Sequence, residues 1–319
     1  MCANMVQEDA VGLEKVRKIL IFKGKPDDFR LARVSLTLKA VSPDRILNRS
    51  TIVKKTILAL SLAALSVPAL AQGKKPEPEY TISGNFGLTS DYRFRGISQS
   101  NRKAAVQGGI DFAHKSGLYL GNWNSSISEW AAGESSGIEM DFYGGFKTEL
   151  MGVALDFGAI HYNYPNGNAP NTANGSTSKN NFNTTEGYFG FGYGPVSLKT
   201  SRTTTDHYFG LGKSADTTLT TNAKGTMYYD LSFAKEIVPK LTVKLHYGLL
   251  DLKKPVGTLK DIKDSSIGIA YDLDGWVLGL TAFNTSGTNA AARTWFTSGD
   301  GRNTKLYSSG TAITLSKTF

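Results

Sequence analysis

The chain has 319 residues, 36 basic and 27 acidic side chains, a net charge of +9, 40% hydrophobic residues and 11% aromatics. That aromatic content excludes a solvated, disordered chain. No apolar run reaches the roughly 18 residues of a membrane-spanning helix, so only strands could carry this chain across a bilayer. Residues 1–71 hold 12 basic and 6 acidic side chains, whereas 72–319 hold 24 and 21. The body is therefore too evenly charged for the basic face that a nucleic-acid binder needs. Cys2 is the only cysteine, so the body can form neither a disulfide nor a thiolate metal site.

Residues 1–52 predict no stable fold beyond short helical pieces around Val11 to Leu20. Residues 53–71 read as a Sec signal peptide: Lys54 and Lys55 form the positive region and Ile57 to Leu65 the apolar region. Pro68 then precedes the small-residue site Ala69-Leu70-Ala71, placing cleavage between Ala71 and Gln72. Such a segment normally opens a chain. The expectation is that residues 1–52 come from a start assigned too early and that Val53 is the first residue, the alternative being an extended leader. N-terminal sequencing of the unprocessed precursor distinguishes them. Residues 72–79 form a polar linker.

From Tyr80 the hydrophobic pattern has period two, the signature of strands with one apolar face. Twelve strands are predicted, near 80–91, 104–114, 118–128, 138–150, 153–164, 183–193, 196–204, 225–237, 241–250, 264–273, 276–285 and 304–319. Their connections alternate strictly. Short ones fall at 115–117, 151–152, 194–195, 238–240 and 274–275; long ones fall near 92–103, 129–137, 165–182, 205–224, 251–263 and 286–303. A soluble sandwich has no reason to sort loop length by parity. An outer-membrane barrel does, with short periplasmic turns and long extracellular loops. The predicted fold is thus an all-β, antiparallel transmembrane barrel of about 12 strands over 80–319, with both termini on the periplasmic side.

The apolar faces would meet lipid and the polar faces would line the interior. Interior candidates by parity are Asp111, Glu139, Asp141, Lys147, Glu149, Asp156, Glu186, Lys199, Asp230, Lys244 and His246. Such charges are costly in a dry core but not in a wet lumen. Tyr119, Trp123, Tyr162, Tyr164, Tyr193, Tyr271 and Trp276 are candidates for the interfacial girdles. The phase of the strand near 153–164 is expected to shift after Ala159. The chain ends on an alternating strand at Phe319, which resembles the assembly signal of outer-membrane proteins. Lys317 departs from that pattern by sharing the phase of Leu315 and Phe319, where its ammonium could snorkel to water.

The stretch Gly84-Asn85-Phe86-Gly87-Leu88-Thr89-Ser90-Asp91-Tyr92-Arg93-Phe94-Arg95-Gly96-Ile97-Ser98-Gln99-Ser100, followed by Ala105 to His114 and Leu118 to Trp123, resembles the TorF-type porins, the Gcw_chp family of Gram-negative bacteria. The resemblance covers residues 80–319. It implies an outer-membrane channel, and bears on location more than on substrate.

Asp91, Arg93, Arg95 and Gln99 should lie near the extracellular mouth. They could shape a constriction that binds passing anions, or form an internal salt-bridge network that pins the first loop. Basic loop residues, among them Arg102, Lys103, Lys179, Lys213, Lys224, Lys253, Lys254, Lys260, Lys263, Arg293 and Arg302, could meet lipopolysaccharide phosphates or form plain solvated surface. Gly133-Glu134-Ser135-Ser136-Gly137 matches G-x-S-x-G but lies between strands, without the strand-to-helix elbow of a nucleophile. His161 and Asn163 share a face, which leaves a lipid-acting barrel enzyme as a minor reading. His114, His161, His207 and His246 match no metal-ligand spacing. Gly190 to Gly194 is followed by no helix and so is not a phosphate loop. The stretch from Asn163 to Asn183 reads as an external loop.

The expected protein is a porin-like channel for passive diffusion of small polar or charged solutes. It would have no catalytic site, cofactor or metal. Its partners would be outer-membrane lipid, lipopolysaccharide, the barrel-assembly machinery and the solutes, with no nucleic acid. The alternative is a closed structural or adhesive barrel whose long loops bind a ligand.

Overall fold

A computed structural model describes residues 78–132, 136–167, 182–212, 222–253, 261–287 and 304–319. The signal-peptide segment, its cleavage residues Ala71 and Gln72, and residues 1–52 lie outside the described residues. So do most of the linker, the start of the G-x-S-x-G match, most of the Asn-rich stretch and the loop residues Lys179, Lys213, Lys254, Lys260, Arg293 and Arg302.

Twelve long strands form the wall: β1 (Tyr80–Thr89), β4 (Ala105–His114), β5 (Leu118–Ser126), β6 (Ile138–Leu150), β7 (Val153–Asn163), β8 (Thr184–Tyr193), β9 (Val196–Thr203), β12 (Met227–Val238), β13 (Leu241–Asp251), β14 (Ile262–Leu273), β15 (Trp276–Ser286) and β16 (Gly310–Thr318). Each pairs antiparallel with its sequence neighbour, and β1 pairs with β16 to close the barrel. Phe319 completes that seam: its backbone exchanges hydrogen bonds with Gly84 at 2.9 and 3.1 Å. Closure removes the sheet edges that would otherwise leave backbone groups unpaired in lipid.

The expected order of strands holds, with two differences. The last strand begins at Gly310, not near 304. Two long connections also carry small hairpins of their own: β2 (Arg93–Phe94) with β3 (Ile97–Ser98), and β10 (His207–Tyr208) with β11 (Leu211–Gly212). A short helix, α1 (Glu129–Ala132), lies in another.

The outward face is apolar around the circumference. Leu120, Phe157, Phe189, Leu231, Leu245, Ile267 and Leu280 are all exposed, although large and hydrophobic. A soluble monomer rarely exposes a contiguous apolar patch larger than a few hundred Å². A continuous belt is the lipid-facing surface of a spanning barrel. Tyr193, Tyr271 and Trp276 are exposed on that surface, as expected of girdle residues. Lys317 also faces outward, and its ammonium lies 5.3 Å from the centre of the Trp276 ring, an aromatic contact at the turn end of the belt.

Four of the expected girdle aromatics are not on the belt. Trp123 and Tyr162 are buried inside, and they share the inward phase of Asp141, with which both are in register. Tyr164 is buried against Glu139, and Tyr119 bonds Asp156 across the inner wall. The expected phase shift in β7 is also absent. Its pairing with β6 runs unbroken from Leu150↔Val153 to Met140↔Asn163. His161 therefore keeps the outward phase of the exposed Phe157 and bonds the Thr185 hydroxyl at 2.9 Å.

The interior differs from end to end. Near the short turns the inward side chains are partly exposed. Near the long connections they pack into apolar clusters, one of Ile97, Tyr208, Tyr228, Leu250, Leu252, Ile262 and Leu306, and another of Tyr162, Tyr164 and Phe182 with Phe94 and Phe209. The uniformly polar interior expected from strand parity thus holds only for the turn half. Parity tells which face a residue occupies but not what fills the space in front of it.

Candidate functional site

The strongest feature of the lumen is the connection after β1. Arg93 pairs with Ser98 and Phe94 with Ile97, so Arg95 and Gly96 form the two-residue tip of a hairpin. Both have positive φ, 48° and 80°, as a type I′ turn requires. Gly96 meets that requirement freely. It is also pressed against the wall at β14 and β15: a β-carbon there would lie 2.5 Å from the Thr285 hydroxyl and 2.6 Å from the Asp264 β-carbon. Arg95 adopts a conformation costly for a long side chain, and its contacts offset that cost.

The Arg95 guanidinium makes a bidentate pair with Glu186 on β8, at 2.9 and 2.6 Å. It also donates to the Tyr208 hydroxyl at 2.9 Å and lies over the rings of Phe94 and Tyr228, 4.6 and 4.4 Å from their centres. Bidentate charge-assisted bonds are among the strongest in proteins. Burial pushes the Tyr208 phenol up to about 12, so it remains neutral beside the ion pair at physiological pH. The hairpin leaves the wall at β1, and Glu186 and Tyr228 lie across the barrel from it in the strand order. The tip therefore crosses the lumen.

The root of the hairpin is fixed as well. Asp91 accepts from Arg93 at 2.8 Å and from the Ser98 hydroxyl at 2.6 Å. Arg93 also donates to the carbonyls of Gly96 and Ser308. Gln99 is buried, its amide nitrogen bonded to the carbonyl of Ile97 and its backbone to Tyr92 and Ser128. The four mouth candidates thus lie together, but as interior parts of a hairpin across the barrel. The one signal in their spacing is Gly96, a residue free to take the positive φ that a two-residue turn needs, but Arg95 before it is not one of the usual turn residues.

Glu139 and Asp141 also face this packed region. They are 1% and 4% exposed, and each has one buried oxygen without a protein donor. Glu139 accepts from the Tyr164 hydroxyl at 3.0 Å.

The turn half of the lumen carries the remaining candidates. One register row climbs the wall through Lys147, Asp156, Gly190, Lys199, Asp230, Gly248 and Asp264. Its carboxylates have uncharged or imidazole donors. Asp156 accepts from the Tyr119 hydroxyl at 2.6 Å. Asp230 and Asp264 flank His246 at 3.1 and 2.8 Å. Asp111, elsewhere on the wall, accepts from Tyr143 at 2.5 Å. Lys147 and Lys199 instead lie over aromatic rings, Tyr119 at 4.5 Å and Tyr188 at 3.8 Å from their centres. Lys244 is exposed in the inward phase. Lys199 stood among the parity candidates, but nothing in sequence placed it over a ring.

The tyrosines lie flat because the wall beneath them is glycine. Tyr119, Gly145, Gly158 and Tyr188 occupy one register row, and the two hydroxyls meet over the glycines. A β-carbon at Gly158 would come 2.7 Å from the Tyr188 hydroxyl, and one at Gly145 would come 2.6 Å from that of Tyr119. Gly158→Val is expected to lift Tyr188 into the lumen and destabilise the barrel by about 1–3 kcal/mol, the usual penalty of overpacking. A urea unfolding curve in lipid checks this, and an unchanged midpoint would contradict it.

A family model described as "Bacterial protein of unknown function (Gcw_chp)" matches residues 73–319. No curated protein matches the chain. Among solved structures, the NanC porin is similar at 8% identity and a TM-score of 0.45, over 75% of this chain and 99% of that one. The KdgM porin in complex with disordered oligogalacturonate is similar at 7% identity and a TM-score of 0.41, over 75% and 97%. Pseudomonas aeruginosa OccK2 (OpdF) in complex with glucuronate is similar at 12% identity and a TM-score of 0.33, over 77% and 67%.

Proposed function

The chain belongs to the Gcw_chp family, and on that premise we propose that it is a porin-like channel of the bacterial outer membrane for small polar or charged solutes. The observation that carries this reading is the charged row from Lys147 to Asp230, partly exposed inside a closed barrel with an apolar exterior. A barrel whose only task is to anchor would gain more from a filled interior than from solvated charge. The stretch from Gly84 to Ser100 supports the TorF-type assignment within the family. The signal peptide over 53–71 would supply Sec export, and Phe319 at the seam would present the terminal aromatic to the barrel-assembly machinery. Residues 1–52 would take no part in the channel, and the basic loops would face lipopolysaccharide.

Passage is passive in this reading. Solutes enter the turn half freely and are limited by the hairpin carrying Arg95. No catalytic step is required, and His161 faces away from the lumen. The test is current through the protein in a planar bilayer under a salt gradient. Discrete steps are expected, with a reversal potential that reports ion preference.

A second reading rests on one observation, the packing of the long-loop half by the hairpin and its aromatic neighbours. A barrel so filled could serve as a closed platform for loops that bind a ligand. Silence from a demonstrably folded barrel would favour it over the channel.

A further inference from the structure

We infer that Lys147 and Lys199, with the Tyr119–Tyr188 pair between them, form a binding step for a small doubly charged anion, a phosphate or a dicarboxylate, in the turn half of the lumen. This deepens the channel reading and rests on it for the route by which the anion arrives.

The carboxylates in register with these lysines are engaged by other donors: Asp156 accepts from Tyr119, and Asp230 from His246 and Ser232. Lys147 and Lys199 have none of these as ion-pair partners, although Asp156 is directly in register with Lys147 and Asp230 with Lys199. Each ammonium is instead set over a ring face. A ring face engages one side of an ammonium that carries three donors, so the others remain directed to the lumen.

The rings are fixed in turn. The Tyr119 hydroxyl donates a hydrogen bond to Asp156, and the two tyrosine hydroxyls are in contact. Gly145 and Gly158 hold both rings against the wall. The order is therefore lysine, tyrosine, tyrosine, lysine, with one cation at each end of a flat aromatic floor. Asp156 and Asp230 act on Lys199 electrostatically but do not touch it, so the ammonium donors are left for water or a mobile anion. Both side chains are partly exposed, so an anion entering from the short turns reaches both. Two charges at the two ends of one floor match a dianion better than a monovalent ion.

The test is equilibrium binding of inorganic phosphate to the folded full-length protein in detergent, followed by the phosphorus resonance. Saturable binding is expected. Lys147→Gln and Lys199→Gln should each weaken it at least ten-fold, and Lys199→Arg should restore most of it. Lys235→Gln, a charge removed from the outward phase of β12, should leave it within two-fold. Heat-modifiable migration on a gel reports that each variant has folded. Absence of saturable binding to the unaltered protein, or binding insensitive to both glutamine variants, would overturn the site. The readout needs no current. A folded barrel that binds phosphate through these lysines yet conducts nothing would sustain the site and overturn the channel.

Discussion

Arg95→Ala and Glu186→Ala each destabilise the folded barrel by about 3–5 kcal/mol, because either change leaves the other charge buried without its counter-ion. The two side chains are 6% and 1% exposed, so water cannot replace the lost partner without opening the packed half of the lumen. Replacing both at once, as Arg95→Met with Glu186→Leu, is expected to recover most of the loss, since an apolar pair needs no compensation. The double variant thus separates the cost of an orphaned charge from the worth of the pair. Urea unfolding in lipid measures all three. Equal stability of the single variants and the parent would show that the pair is not buried in the folded protein.

The same variants have a second consequence. The hairpin tip is held across the lumen by Arg95 to Glu186 and Tyr208, and by the Thr285 hydroxyl to the Gly96 carbonyl at 2.8 Å. Loss of the ion pair removes the strongest of these. Single-channel steps of Arg95→Ala are expected to be larger and noisier than those of the parent. Arg93→Ala should have a smaller effect, since it loosens the root near Asp91 and one bond to the Gly96 carbonyl but leaves the Arg95–Glu186 pair in place.

Leu280→Arg is the second change of large effect. Leu280 lies at the middle of β15, outward and 47% exposed. An arginine facing hydrocarbon near the midplane of a barrel costs about 2–4 kcal/mol. Thr242→Arg, in the inward phase of Lys244 and His246, should stay within about 0.5 kcal/mol of the parent, as a substitution on a solvated surface does. The contrast holds only if the belt faces lipid and the other face water. Comparable losses at both positions, measured as folding free energies in bilayers, would refute that assignment.

Much of this architecture was legible in the chain because it is governed by local periodicity. Side chains on a strand alternate by geometry alone, so Ile267, Ile269 and Tyr271 could be set on one face and Ala270 on the other without knowing any neighbour. Loop lengths then ordered the strands, since neighbours joined by two residues can only pair antiparallel. Trp123 and Tyr162 were misplaced for a related reason. Aromatic residues near strand ends suit a lipid interface and a packed interior equally well, and composition does not distinguish them. Their phase, shared with Asp141, carried the correct answer.

The candidate site was legible only as a set. Parity collected Lys147, Asp156, Lys199, Asp230 and His246 on the inner wall, and the motif around Asp91 and Arg95 marked the first long connection. What joins Arg95 to Glu186 is a separation of 91 residues, bridged by the closure of the barrel. Likewise, Lys147 and Lys199 share one aromatic floor because register brings Gly145 and Gly158 between Tyr119 and Tyr188. By itself the sequence determined the strands, their faces and their order, which follow from short-range geometry and burial. Only the tertiary structure decided that a hairpin spans the lumen, that the loop half is packed while the turn half is wet, and which charges meet. Those outcomes depend on strand register around a closed ring, where a shift of one residue would turn every side chain to the other face.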